Sequence, residues 1–191
     1  YDSFTHNLVQ MVMRDSISVR VFRNDRIQVD QALELRPDFL LVSPGPRAPA
    51  HAGLSKPLIR EFIGKIPILG VCLGMQCLNE VMGGQTRPAP VPVHGKKTPV
   101  YHEGQGLFKN LPSPFNAARY HSLMAVPPAK ARLRVTARTG DNVVMGLEHP
   151  DFPVFGVQFH PESFMTENGQ ALIENFLALR AGFSPYGWSA A

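Results

Sequence analysis

Cysteine is scarce in this chain, with only Cys72 and Cys77 among 191 residues. Two thiols cannot build a disulfide framework, and on one helix this pair would not meet bridging geometry. Free thiols fit a reducing cytoplasm, which is the expected location. Long apolar runs are missing as well: none approaches the ~20 residues a membrane span requires. The first residues show no signal-peptide pattern, and the chain opens on Tyr1 instead of Met. Charge is also thin, at 18% of residues, which excludes long disordered or coiled-coil stretches. The small basic excess, a net +4, is scattered, with Lys96-Lys97 the one adjacent pair. It reads as a mildly basic surface and not as a nucleic-acid interface.

What is present is a 44% hydrophobic composition, enough for a substantial core in one domain over residues 1–191. No internal repeat or low-complexity linker divides it. Ser3 or Thr5 can cap a helix running through Leu8, Val9 and Met11 to about Arg14. Ile17, Val19 and Val21 alternate with polar residues, predicting a strand. A short helix follows at Val29, Ala32, Leu33 and Leu35. Residues 39–42 form an apolar run of the kind buried on both faces of a parallel sheet. After a Pro- and Gly-rich loop come a helix with Leu58, Ile59 and Phe62, and a second buried strand over residues 66–71. The helix after Cys72 stops at Gly83-Gly84. This strand–helix alternation predicts an α/β fold with a parallel sheet.

The second half changes character. Pro88, Pro90 and Pro92 predict a stiff loop. Short strands are expected over residues 98–101, 116–120, 133–138, 143–147 and 154–159, with Gly140-Asp141-Asn142 as a hairpin turn. A last helix carries Leu172, Ile173 and Phe176. The expected whole is a mixed, mainly parallel central sheet flanked by helices, with additional antiparallel strands in the second half.

Gly70-Val71-Cys72-Leu73-Gly74 matches the turn that sets a nucleophile between a strand and a helix, with glycines where neighbouring segments must pass closely. A helix N-terminus also favours a thiolate there. Alone, the motif is evenly balanced against a buried packing thiol. Cys77 has no glycine frame and reads as packing. A thiolate needs a base with something to orient it. His160 follows an apolar strand, and Glu162 stands two residues on, where a carboxylate can hold the imidazole. A solvated loop pair is the competing reading of those two residues. His6, His51, His102 and His149 read as surface or turn residues, and no spacing predicts a metal site.

With these residues assembled, the chain resembles the class I (triad) glutamine amidotransferases, in particular the glutaminase subunits of anthranilate synthase and aminodeoxychorismate synthase. The most specific segments are Pro67-Ile68-Leu69-Gly70-Val71-Cys72-Leu73-Gly74-Met75-Gln76 and Phe159-His160-Pro161-Glu162-Ser163. Ser43-Pro44-Gly45-Pro46, His94-Gly95-Lys96 and Arg119-Tyr120-His121-Ser122-Leu123 add to them in family order. The resemblance implies a flavodoxin-like fold and a Cys72–His160–Glu162 triad that hydrolyses L-glutamine through a glutamyl thioester. It implies Gly45 and Leu73 as oxyanion donors, and Gln76, Ser122 and Leu123 as glutamine-holding positions. It further implies no cofactor in this chain, and a synthase partner that aminates chorismate with the released ammonia.

Two departures stand out. The family usually has a second glycine after Ser-Pro-Gly-Pro, where this chain has Arg47; if that position needs positive φ, arginine is strained by ~1 kcal/mol or more. Family members also begin with an apolar strand ahead of Tyr1-Asp2-Ser3-Phe4-Thr5, and its omission should expose an apolar sheet edge. Two other classes compete with the amidotransferase reading. A non-catalytic relative would be expected to lose Cys72, His160 or Glu162. A free-standing γ-glutamyl hydrolase or thiol peptidase on the same scaffold is the remaining alternative.

Overall fold

The computed structural model describes residues 3–13, 17–129 and 133–179. Its frame follows from where the apolar runs fall. The four-residue strand β2 (Ile68–Val71) is buried throughout. It pairs in parallel with β1 (Leu40–Val42) on one side and β7 (Val154–Val157) on the other. From β7 the sheet continues antiparallel through β6 (Val144–Glu148), β5 (Arg134–Thr139), β3 (Gln85–His102) and β4 (Phe115–Val126). The sheet is therefore mixed and seven-stranded, with the parallel strands at one end.

Side-chain alternation along β2 and β7 splits the core in two. Leu69, Val71, Phe155 and Val157 face α1 (Ser3–Val12) and α5 (Gly169–Leu177), meeting Leu8, Leu172, Ile173 and Phe176. Ile68 and Val154 face α3 (Ser55–Phe62) and α4 (Leu73–Val81), meeting Ile59, Phe62, Met75 and Leu78. The short helix α2 (Val29–Glu34) joins this second layer through Ala32. Each fully buried Leu, Ile or Phe contributes ~1.5–3 kcal/mol relative to exposure.

Three expectations are corrected. Residues 17–21 form no strand beyond an isolated bridge at Ile17, and Val21 is exposed. Alternation supplies a face, but a strand also needs a ladder partner, and among the described residues the free edge of β1 provides none. For the same reason β1 is only half-buried, not covered on both faces. The prolines 88, 90 and 92 lie inside β3 and not in a loop. Pro88 still pairs with Leu123, and the ladder resumes at Val93 after a register shift. Pro90 and Pro92, which lack an N–H, fall in the stretch where the ladder is interrupted. The predicted turn at 140–142 does close a hairpin, with Asn142 at φ 68° and the Val143 amide bound to Thr139 Oγ1.

Candidate active site

Cys72 sits between β2 and α4, at the carboxyl end of the parallel strands. Its backbone is strained, at φ 53° and ψ −102°, a conformation that side-chain-bearing residues rarely adopt. The turn is fixed by the Cys72 amide, which donates to the Val157 carbonyl at 2.8 Å. Packing explains the glycine frame. A Cβ on Gly70 would lie 2.5 Å from the Gly74 carbonyl, and one on Gly74 would lie 2.2 Å from the Val42 carbonyl oxygen. The elbow closes only because both positions lack that carbon.

The chain beyond β7 carries the second group. Past Gln158 and Phe159 it crosses toward β4, where the His160 amide donates to the Ala118 carbonyl at 3.1 Å. Thr166 secures the crossing from the far side: its hydroxyl donates to the His160 carbonyl at 2.6 Å and accepts from the Ala118 amide at 2.9 Å. Within this brace the imidazole Nδ1 lies 2.7 Å from Glu162 Oε1, with both residues buried. Tyr120 packs edge-on against the His160 ring, at a centroid distance of 5.2 Å.

Burial alone would disfavour a charged His160. Its hydrogen bonds to Cys72 and Glu162, and the negative charge on both, outweigh that and push its pKa up to about 10. An imidazole so placed favours its protonated form. Cys77 differs completely: it is fully buried, and desolvation pushes its thiol up to about 12, which leaves it inert and fits a packing role.

A cleft of ≈ 490 Å³ opens over Cys72 and brings Gly45, Leu73, Gln76, Ser122 and Leu123 to its walls. All five positions named from the sequence therefore share one cavity with the thiol. Gly45 packs so closely on the first residue of α4 that a Cβ there would lie 2.8 Å from Leu73 Cδ2. Two backbone segments thus meet beside the sulfur, at a helix N-terminus whose first amides have no helical partner. The arrangement suits attack by a thiol on a carbonyl carbon, with amides facing the oxygen that becomes negative.

A second cleft, of the same ≈ 490 Å³ volume, is lined by residues such as Arg60, His149 and Phe152. It lies toward the opposite ends of the parallel strands and holds no nucleophile.

Other placements differ from expectation. Ser122 and Leu123 lie within β4 instead of following a strand. Ser122 Oγ is 2.8 Å from His94 Nε2. His51, expected as an ordinary surface residue, stands on the cleft rim. Arg47 adopts φ 67°, so the departure from glycine falls on a left-handed position and costs roughly 1 kcal/mol. Its side chain is exposed at the cleft mouth.

The family profile described as Glutamine amidotransferase class-I matches residues 1–179. The chain belongs to the class-I glutamine amidotransferases. It is 48% identical over 179 residues to anthranilate synthase component 2 of Thermus thermophilus, covering 93% of this chain and 88% of that one. It is 46% identical over 178 residues to aminodeoxychorismate/anthranilate synthase component 2 of Bacillus subtilis, covering 93% and 92% respectively. A multifunctional tryptophan biosynthesis protein of Phycomyces blakesleeanus matches at 47% over 184 residues; that match spans 95% of this chain and 24% of the larger protein. Among solved structures, a candidate GMP synthase subunit from Thermoplasma acidophilum superposes with a TM-score of 0.83 at 25% identity, covering 95% of this chain and 90% of that one.

This amidotransferase carries three buried polar residues near the cleft to which no sequence pattern assigned a role: Arg119 and His121, which stood out only as parts of a family segment, and Gln158. Gln158 is fully buried, and its amide Nε2 lies 3.5 Å from Cys72 Sγ. In the sequence Gln158 is only one position of the strand expected over residues 154–159, whereas β7 ends at Val157. Its backbone amide still donates to the Met145 carbonyl at 3.0 Å, and alternation past β7 carries its side chain to the α4 face that Gly156 shares.

Proposed function

We propose that this chain is the glutaminase component of a two-part synthase, with Cys72 as nucleophile, His160 as acid and base, and Glu162 as the group that orients His160. The observation that carries this reading is the strained Cys72 turn beside a buried imidazole that Glu162 grips at 2.7 Å and whose pKa the neighbouring thiol and carboxylate together raise. Cys72 Sγ gives its proton to His160 Nε2 and attacks the side-chain carboxamide carbon of glutamine. The resulting oxyanion is held by the amides of Gly45 and Leu73. The His160 proton passes to the nitrogen, the C–N bond breaks, and ammonia leaves a glutamyl thioester. Water then attacks, with His160 accepting its proton. Collapse of the second tetrahedral species expels the thiolate and glutamate. Thiol, imidazole and carboxylate suffice, so the chemistry calls for no cofactor in this chain.

Gln76 supports a substrate role. Both hydrogens of its amide are engaged, by the Leu123 carbonyl at 3.2 Å and Gln158 Oε1 at 3.1 Å. Its oxygen is thereby the atom left to accept from the α-ammonium of a bound glutamine, with Ser122 and Leu123 lining the same wall. The partner is a chorismate-utilising synthase subunit in the cytoplasm, by analogy with the component 2 relatives.

Glu162→Gln removes the charge that supports the imidazolium but keeps its shape. Glutamine turnover should fall by about 10²-fold, less than the loss on removing the thiol. Steady-state glutamate release checks the ranking, and a reversed order would remove Glu162 from the orienting role. The reading as a whole is tested by purifying the chain with its bound partner, supplying chorismate and glutamine, and identifying the aromatic product. Anthranilate or 4-amino-4-deoxychorismate is the expected result. Hydrolysis of γ-glutamyl peptides by the chain alone, with no aminated product from the complex, would favour a free-standing hydrolase.

A further inference from the structure

The Gln158 side chain is fully buried and touches the sulfur that the mechanism uses, yet no step above employs it. Its orientation is not free. Arg119 is buried and donates through Nε to His121 Nε2 at 3.0 Å. That makes Nε2 an acceptor and leaves the His121 hydrogen on Nδ1, which donates to the Leu123 carbonyl at 2.9 Å. Burial and the Arg119 charge push His121 down to about 4, so the neutral ring this arrangement needs is the one present at neutral pH. The same carbonyl, an acceptor only, takes an N–H from Gln76. The other Gln76 hydrogen must then meet an acceptor, which fixes Gln158 Oε1 toward Gln76 and Gln158 Nε2 toward Cys72. Every donor in the chain from Arg119 to the sulfur has one allowed sense.

We propose that Gln158 is a further catalytic residue, an amide donor to the Cys72 sulfur whose direction is imposed by the Leu123 carbonyl through the buried Gln76 amide. The inference rests on the reading of Cys72 as nucleophile. A thiolate accepts such a hydrogen bond far better than a thioester sulfur does. The contact therefore holds the sulfur in place for attack and favours its departure as thiolate when the thioester is hydrolysed. It also links the Leu123 wall of the cleft to the nucleophile by way of Gln76.

Other groups act on the same sulfur. His160 faces it from beyond β7, with Glu162 behind. Arg47 and His51 stand across the cleft on one side, and His94 and His121 on the hairpin of β3 and β4. The first turn of α4 carries no acid. A test must therefore isolate Gln158 by substitution at that position while leaving these groups intact.

Gln158→Met removes the donor at similar volume, and Gln158→Glu keeps the acceptor for Gln76 but cannot donate when ionised. The chain is assembled with its partner, and the rate of alkylation by iodoacetamide is followed against pH, with the labelled cysteine mapped. Both variants should shift the alkylation midpoint to higher pH by about one unit, the equivalent of a tenfold change. Glutamine kcat should fall about 10- to 100-fold in both variants, with KM little altered in Gln158→Glu, which keeps the acceptor for Gln76. Ammonium-supported amination serves as the check on folding and assembly.

A folded variant with both midpoint and kcat unchanged overturns the proposal, and so does a rise in KM alone. Should neither variant fold, the unsubstituted protein labelled with 15N in its glutamine side chains provides the readout. One protected amide pair must shift on raising pH through the thiol titration, and its constancy would be equally fatal. Failure here is distinct from failure of the nucleophile assignment, which Cys72→Ser tests separately.

Discussion

Cys72→Ser should lower glutamine-dependent activity by ~10³-fold or more while leaving ammonium-dependent amination by the assembled synthase unchanged. The two halves of this result come from different parts of the structure. A serine hydroxyl does not supply the anionic sulfur that the imidazole of His160 is placed to support, so the first bond-forming step is lost. The elbow itself survives, because its geometry depends on glycines 70 and 74 and on the Cys72 amide held by Val157, none of which the substitution alters. The surface offered to a partner is then unchanged. Parallel assays with glutamine and with ammonium chloride check both halves. Glutamine-dependent activity within tenfold of the parent would remove Cys72 as the nucleophile, and loss of both activities would indicate a damaged complex.

Gly74→Ala should be among the most damaging of the single-methyl additions near the site. Its Cβ would lie 2.2 Å from the Val42 carbonyl oxygen and 3.0 Å from the carbonyl carbon, so the obstacle is backbone of the neighbouring parallel strand. Neither partner can rotate away. Relief requires α4 to move off β1, and α4 holds Met75 and Leu78 in the core. The expected loss is about 3 kcal/mol or more. Gly83→Ala gives the comparison: its φ of 92° strains an alanine, but nothing lies within 4 Å of the added carbon. That substitution should cost only about 1 kcal/mol. Urea unfolding of both variants separates steric from conformational cost; equal midpoints would mean that the elbow relaxes without penalty.

The elbow that holds the proposed nucleophile was legible in the sequence because its requirements are local. A buried strand, two glycines and a following amphipathic helix are all contained in residues 66–82, and the structure uses each for the reason the pattern implied. His160 and Glu162 were legible for a similar reason, since a strand end followed by proline leaves few places for the two side chains to go. What stayed hidden depended on partners distant in sequence. Residues 17–21 alternate as a strand should, yet strandedness needs a neighbour that no local pattern reveals. The prolines of β3 read as loop because their compensation, a register shift against β4, belongs to the other strand. Gln158 carries no signal on its own. Its significance appears only once Leu123 and Gln76, 35 and 82 positions away, have fixed the direction of its amide. Arg47 was visible as a departure from the family, and the position does take a positive φ, with the exposed residue at the cleft mouth.

The most direct test of Cys72 as the attacking atom is covalent trapping by a glutamine analogue bearing a diazoketone in place of the carboxamide. The reagent is recognised as substrate and alkylates the thiol that attacks it. Mapping the modified peptide after inactivation of the assembled enzyme should place one label per chain on Cys72, with glutamine protecting against it and His160→Asn slowing it. Inactivation with the label on Cys77, or with Cys72 left unmodified, would contradict the account.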